Sequence, residues 1–86
     1  MVIIYGTEWC SYCIRAKKLA EQYQVDFEFR DVDNPEIKQQ LESMLPNHKT
    51  IPQIWWHGNH VGGYNEFANE LENTRSFGQD KFWKVK

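Results

Sequence analysis

Residues 2–30 run VIIYGTEWCSYCIRAKKLAEQYQVDFEFR. Val2-Ile3-Ile4-Tyr5 is a β-branched and aromatic run closed by Gly6, the pattern of a short buried strand. Over residues 11–24, Cys13, Ala16, Leu19 or Ala20, and Tyr23 recur at helical spacing. Arg15, Lys17, Lys18, Glu21 and Gln22 form the polar face of the same helix. Val25, Phe27 and Phe29 then alternate with Asp26, Glu28 and Arg30, a period of two that predicts a second strand. Strand, helix and strand in so short a span make a βαβ unit, and its right-handed crossover sets the two strands parallel.

Downstream, Asp33 or Asn34 can cap a second helix, with Pro35 in its first turn and Glu36 at the positive end of its dipole. Ile37, Leu41, Met44 and Leu45 form its apolar stripe, and Pro46-Asn47 ends it. Gln53-Ile54-Trp55-Trp56-His57 reads as a third strand and Gly58-Asn59 as a two-residue hairpin loop, with His60-Val61 returning as a fourth. Trp55 and Trp56 alternate across the sheet, and one or both are expected to pack against helices. His57 and His60 flank the loop and are expected to share a face. After Gly62-Gly63 a last helix runs from about Asn65 to Asn73, with Phe67, Ala68 and Leu71 inward. The order is β-α-β-α-β-β-α, an α/β fold with a four-stranded mixed sheet flanked by helices.

The whole chain has 86 residues, enough for one domain. Its formal net charge of −2 provides no basic field, which argues against nucleic acid as a partner. No apolar run approaches the roughly 18 residues that cross a bilayer, so no membrane partner is expected. The start lacks a basic stretch followed by a long apolar region, so the expected compartment is cytoplasmic. Residues 1–73 are taken as the domain. Residues 74–86 hold Arg75, Lys81, Lys84 and Lys86 against Asp80, with Phe77, Phe82, Trp83 and Val85 available for burial. They are expected to form a strand or turn folded back on the domain, with a partner-binding arm as the alternative.

The chain has two cysteines, Cys10 and Cys13. A structural disulfide closing so short a loop would stabilise little, and a reducing compartment would not preserve it. A zinc site would need two more ligands, from His48, His57 or His60. A redox dithiol needs only these two sulfurs. Cys10 falls at the start of the first helix, where unpaired N–H groups and the macrodipole favour a thiolate over a thiol. Such placement draws a cysteine pKa from about 8.5 toward about 3.5–7.5, and the thiolate is the attacking species. Cys13, one turn further, is placed to attack a mixed disulfide on Cys10. Cys10 is therefore the expected nucleophile and Cys13 the resolving thiol. Trp9, beside the nucleophile, is expected to be exposed.

The sequence resembles the glutaredoxins, a family of the thioredoxin-like fold, over about residues 1–73. Three blocks carry the resemblance: Cys10-Ser11-Tyr12-Cys13 with Ile14-Arg15-Ala16-Lys17, then Thr50-Ile51-Pro52-Gln53-Ile54, then His60-Val61-Gly62-Gly63-Tyr64-Asn65-Glu66. The resemblance implies a glutathione-dependent thiol–disulfide oxidoreductase that reduces protein disulfides and protein–glutathione mixed disulfides. Glutathione would be a co-substrate, with no tightly bound cofactor. Ribonucleotide reductase and glutathionylated proteins are the partners it suggests, for a monomeric enzyme. It also implies a cis bond before Pro52, leaving the backbone of Ile51 free to pair with extended glutathione. Gly63 would permit close approach and Tyr64, Asn65 and Glu66 would receive the γ-glutamyl end, the Glu66 side chain meeting its ammonium. Tyr12 would flank the bound sulfur, while Thr50 and Lys49 lie at the groove, Lys49 pairing with the glycyl carboxylate. Ser11 stands where members commonly carry proline, and Thr7 where many carry Lys or Arg. The alternative function is a glutaredoxin that holds a 2Fe–2S cluster with Cys10 and glutathione as ligands.

Overall fold

Val2 and Ile4 are wholly buried and Tyr5 nearly so in the computed structural model, which describes residues 1–47 and 50–78. A strand buried on both faces lies inside its sheet. The strand β1 (Val2–Gly6) does so: it pairs in parallel with β2 (Phe27–Asp31) and antiparallel with β3 (Gln53–Trp56), which pairs antiparallel with β4 (Asn59–Gly62). The sheet order is β2-β1-β3-β4. Three helices complete the expected order: α1 (Ser11–Gln22), α2 (Pro35–Met44) and α3 (Tyr64–Gly78). The result is the thioredoxin-like α/β fold.

The period of two along β1 divides the core. Val2 and Ile4, with Ile54 of β3, meet Ala16 and Ala20 of α1 and Phe67 and Leu71 of α3 in one cluster of buried residues. Trp56 joins it edge-on to Phe67, with ring centroids 6.0 Å apart. On the alternate positions Tyr5 packs edge-on to Trp55 at 5.4 Å, and Trp55 also meets His60.

Local chemistry sets the helix ends. Asn34, not Asp33, caps α2: its Oδ1 accepts from the Glu36 N–H at 2.9 Å. Helix α1 stops in a left-handed residue, Gln24 at φ 58°, with the Val25 N–H on the Ala20 carbonyl and the Gln24 N–H on that of Glu21. That turn uses up Val25, so β2 begins at Phe27.

Four expectations are corrected. The hairpin loop is His57-Gly58, with φ values of 56° and 79°, because Trp56 pairs with Asn59. A two-residue turn of this hand needs positive φ at both central positions. His57 consequently stacks on Trp56 and His60 on Trp55, neighbours that point to opposite faces of β3, so the histidines do not share a face. In α2 only Leu41 of the apolar stripe is wholly buried, while Met44 is 46% exposed, because the helix touches the domain along a narrow line. Residues 74–78 continue α3 rather than forming a strand or turn, since nothing between Asn73 and Gly78 breaks a helix. Residues 79–86, including Phe82, Trp83 and Val85, lie outside the described residues.

Because Leu41 is the one wholly buried side chain of α2, Leu41→Ala is expected to lower stability by about 2–4 kcal/mol in urea unfolding.

Candidate active site at the start of α1

Cys10 is the N-cap of α1, with φ −90° and ψ 121°, and is part-buried. Its Sγ accepts from the Cys13 N–H at 3.3 Å. An N-cap ordinarily offers an oxygen to one of the unpaired N–H groups of the first turn. Here a sulfur does so, and that N–H faces whatever negative charge the sulfur carries. Both cysteines are free thiols, so the structure shows the dithiol form.

Cys13 is wholly buried. Burial pushes its thiol up to about 12, with the hydrogen bond to Cys10 and the charge of Cys10 acting in the same direction; the Thr7 N–H and the Lys17 ammonium oppose the rise. The sulfur fits only because β1 ends in glycine. A Cβ on Gly6 would collide with Cys13 Sγ and lie 3.0 Å from Cys13 Cβ. Lys17 leaves the solvated face expected of it and lies over the Phe29 ring, its Nζ 4.2 Å from the centroid. Thr7 is 1% exposed, so no cation comes from that position, and its Oγ1 has no partner among the described residues.

Facing Cys10 is the segment Thr50-Ile51-Pro52. The Ile51–Pro52 bond is cis, as expected, and the Ile51 carbonyl lies 3.8 Å from Cys10 Sγ. Beside it is a groove of about 330 Å³ lined by Tyr12, Thr50, Ile51, Pro52, Gly63, Tyr64, Asn65 and Glu66. Eight of the nine non-cysteine site residues expected from sequence thus meet in one place; the ninth, Lys49, lies outside the described residues. Tyr12, about half exposed, tilts against Tyr64 across the groove with centroids 5.7 Å apart, and the Arg15 guanidinium lies 5.2 Å over the Tyr12 ring.

At the far end, Glu66 already has a partner in the protein. Its Oε1 accepts from the Gly63 N–H at 2.9 Å, so the side chain caps α3 from the third helical position. The glycine under constraint is Gly62 rather than Gly63. Gly62 has φ 126°, and a Cβ there would lie 2.9 Å from Glu66 Cγ. Gly62, Gly6 and Thr7 are the site positions that sequence reasoning missed or undervalued. A closely packed strand end and a positive φ leave no local composition signal beyond the glycine itself.

Trp9 is 73% exposed, as expected, and its indole N–H donates to Asp33 Oδ2 at 3.0 Å. Among the described residues no group of three or more His, Cys, Asp or Glu comes together to hold a metal, and none of their helices is long and apolar enough to cross a membrane.

A solvent-facing cysteine at a helix start, a buried partner one turn later and a cis-proline wall beside a groove define a thiol–disulfide oxidoreductase of the thioredoxin-like fold. The sequence model of the glutaredoxin family matches residues 2–61. A glutaredoxin of Pseudomonas aeruginosa is 44% identical over 66 residues, covering 76% of this chain and 77% of that one. Glutaredoxin 1 of Escherichia coli is 36% identical over 76 residues, covering 77% and 86%. Among solved structures, reduced E. coli glutaredoxin superposes with a TM-score of 0.73 at 30% identity, covering 87% of this chain and 96% of that one. A buckwheat glutaredoxin–glutathione complex shares the fold at 22% identity, with a TM-score of 0.71 over 85% of this chain and 69% of that one. The chain belongs to the glutaredoxin family.

Two outcomes follow from the sulfur environments. Iodoacetamide at pH 7 is expected to label Cys10 and spare Cys13 in the folded protein, read by fragment mass spectrometry. Because the Cys13 pKa lies near 12, its labelling should rise about tenfold per pH unit up to pH 10 without levelling. A thiol raised in the folded state contributes stability below its ordinary range, and that contribution is lost as the pH climbs toward 12. Gly6→Ala, which crowds the same sulfur, is expected to cost about 1–3 kcal/mol in thermal or urea unfolding.

Proposed function

We propose that this protein uses glutathione to reduce protein disulfides and protein–glutathione mixed disulfides, with Cys10 as nucleophile and Cys13 as resolving thiol. The observation that carries this reading is the position of Cys10 Sγ, held by the Cys13 N–H and facing the Ile51 carbonyl at the groove. An extended peptide can pair with the backbone of Ile51 while presenting a sulfur to Cys10. At the groove's other end the N–H groups of Asn65 and Glu66 open α3 and suit a carboxylate. The Glu66 side chain, already on Gly63, keeps its second oxygen available for an ammonium.

On a glutathionylated protein, the Cys10 thiolate attacks the glutathione sulfur. The protein thiolate leaves and takes up a proton, and a Cys10–glutathione disulfide remains. The thiolate of a second glutathione attacks the bound glutathione sulfur, forming glutathione disulfide and restoring the Cys10 thiolate. On a protein disulfide, Cys10 forms a mixed disulfide with the protein. Cys13 then loses its proton and attacks Cys10 Sγ, closing the Cys10–Cys13 disulfide and releasing the reduced protein. Two glutathiones return that disulfide to the dithiol, and the electrons they lose are those the substrate gains. The first route never calls on the buried thiol.

In a glutathione-coupled assay, Cys10→Ser is expected to abolish turnover of both substrate types. Cys13→Ser is expected to keep deglutathionylation and lose the two-cysteine reduction of protein disulfides. Turnover by the Cys10→Ser protein would overturn the assignment.

A further inference from the structure

Gln53 is the first residue of β3 and follows the cis-proline directly. It is polar, yet only 8% exposed. Its Nε2 donates to the Thr50 carbonyl at 2.9 Å and approaches Thr50 Oγ1 at 3.3 Å. Its Oε1 meets His60 Nε2 at 2.8 Å. A carbonyl oxygen can only accept, so the end of Gln53 that faces Thr50 must be the amide NH₂. The end that faces His60 is then an acceptor, and His60 Nε2 must carry a hydrogen. One proton on an exposed ring thus fixes the orientation of a buried amide, and the amide ties down the turn that leads into the groove. His60 is itself held, its ring centroid 4.6 Å from that of Trp55. Trp55 in turn packs on Tyr5, whose hydroxyl accepts from Arg30 Nη1 at 2.8 Å.

Thr50, Ile51 and Pro52 form one wall of the groove, and the Ile51 carbonyl lies 3.8 Å from Cys10 Sγ. Gln53 does not itself line the groove; it reaches the wall through Thr50. Cutting this tie would leave the Thr50 carbonyl without its buried partner and let the wall relax away from the position a substrate backbone needs.

We propose that Gln53 and His60 are positioning residues for substrate binding: a His60–Gln53–Thr50 relay, with His60 as the Nε2–H donor, sets the backbone of residues 50–52. The effect on turnover rests on the reading of the groove as the glutathione site; the relay itself does not. A single hydrogen bond of this kind is worth about a fivefold change in an equilibrium, which sets the scale of the test.

The test compares the wild type with Gln53→Met, which keeps length without the amide, and His60→Phe, which keeps the ring on Trp55 without a donor. His60 lies at the surface, so the second variant carries the test if the first fails to fold. With a glutathionylated peptide as substrate, KM is expected to rise about fivefold in each variant while kcat stays within about twofold. Alkylation of Cys10 is expected to keep its wild-type rate. In the ligand-free wild type, imidazole ¹⁵N shifts are expected to show hydrogen on His60 Nε2, and the Thr50 and Ile51 amide signals are expected to move in both variants. An unprotonated His60 Nε2, or amide signals of residues 50 and 51 that stay in place in His60→Phe, would overturn the relay whatever the substrate is. An unchanged KM in His60→Phe would overturn its role in binding. A wild type that does not turn over the glutathionylated peptide would instead sink the glutathione reading, while the ¹⁵N measurements would still decide the relay.

Discussion

The burial of one sulfur constrains the rest of this molecule. Cys13 sits inward on the first turn of α1, against the last residue of β1, and its sulfur occupies the space a side chain on Gly6 would need. That contact sets how closely α1 approaches the sheet, and hence where the helix begins. With Cys13 pinned, its backbone N–H points at Cys10 Sγ, and Cys10 becomes the cap. Cys10 Sγ is thus placed by Cys13. A side chain at residue 6 would push the helix outward and carry Cys10 away from Ile51, so the strand end, the helix start and the groove form one unit.

The groove is assembled from three unconnected stretches, and the sheet brings them together. β1 delivers the dithiol loop, β3 begins at the cis-proline wall, and β4 ends where α3 starts. Because β1 and β3 are neighbours in antiparallel register, the end of one lies beside the beginning of the other. Polar ties then tune the walls. Glu66 folds onto the Gly63 N–H, which places a carboxylate at the positive end of α3 before any ligand arrives. A ligand carboxylate at the same helix start shares that field with Glu66, so binding there favours a ligand whose own cation offsets the second negative charge. An amino acid end, with ammonium and carboxylate on one carbon, meets that condition better than a simple dicarboxylate.

The fold was legible because periodicity survives in the short elements: Val2 and Ile4 against Tyr5, Phe27 and Phe29 against Glu28, Phe67 and Leu71 four apart. The dithiol was legible because its spacing matches one helical turn. What did not show in the sequence depends on contacts between elements. The His57-Gly58 turn is decided by the pairing of Trp56 with Asn59, which no residue near the loop announces; Gly58-Asn59 satisfies the same composition rule. Met44 has the right spacing for burial, and only the shallow seating of α2 exposes it. That Glu66 also caps α3 did not show, because nothing local says that the Gly63 N–H holds one of its oxygens. Gln53 looked like an ordinary strand residue, because its two partners lie three residues before it and across a hairpin.

The two sulfurs differ more in surroundings than in sequence position, and that difference divides the chemistry. Cys10 has solvent, a backbone N–H and an open groove; Cys13 has a glycine, a helix interior and a pKa near 12. Under the roles proposed above, a thiol so protected seldom competes with Cys10 for a substrate. The same protection slows its own reaction until a mixed disulfide sits on Cys10. That state removes the negative charge on Cys10, one of the groups holding the Cys13 proton in place. In the mechanism proposed above, a mixed disulfide on Cys10 would therefore make Cys13 easier to ionise at the step that calls on it.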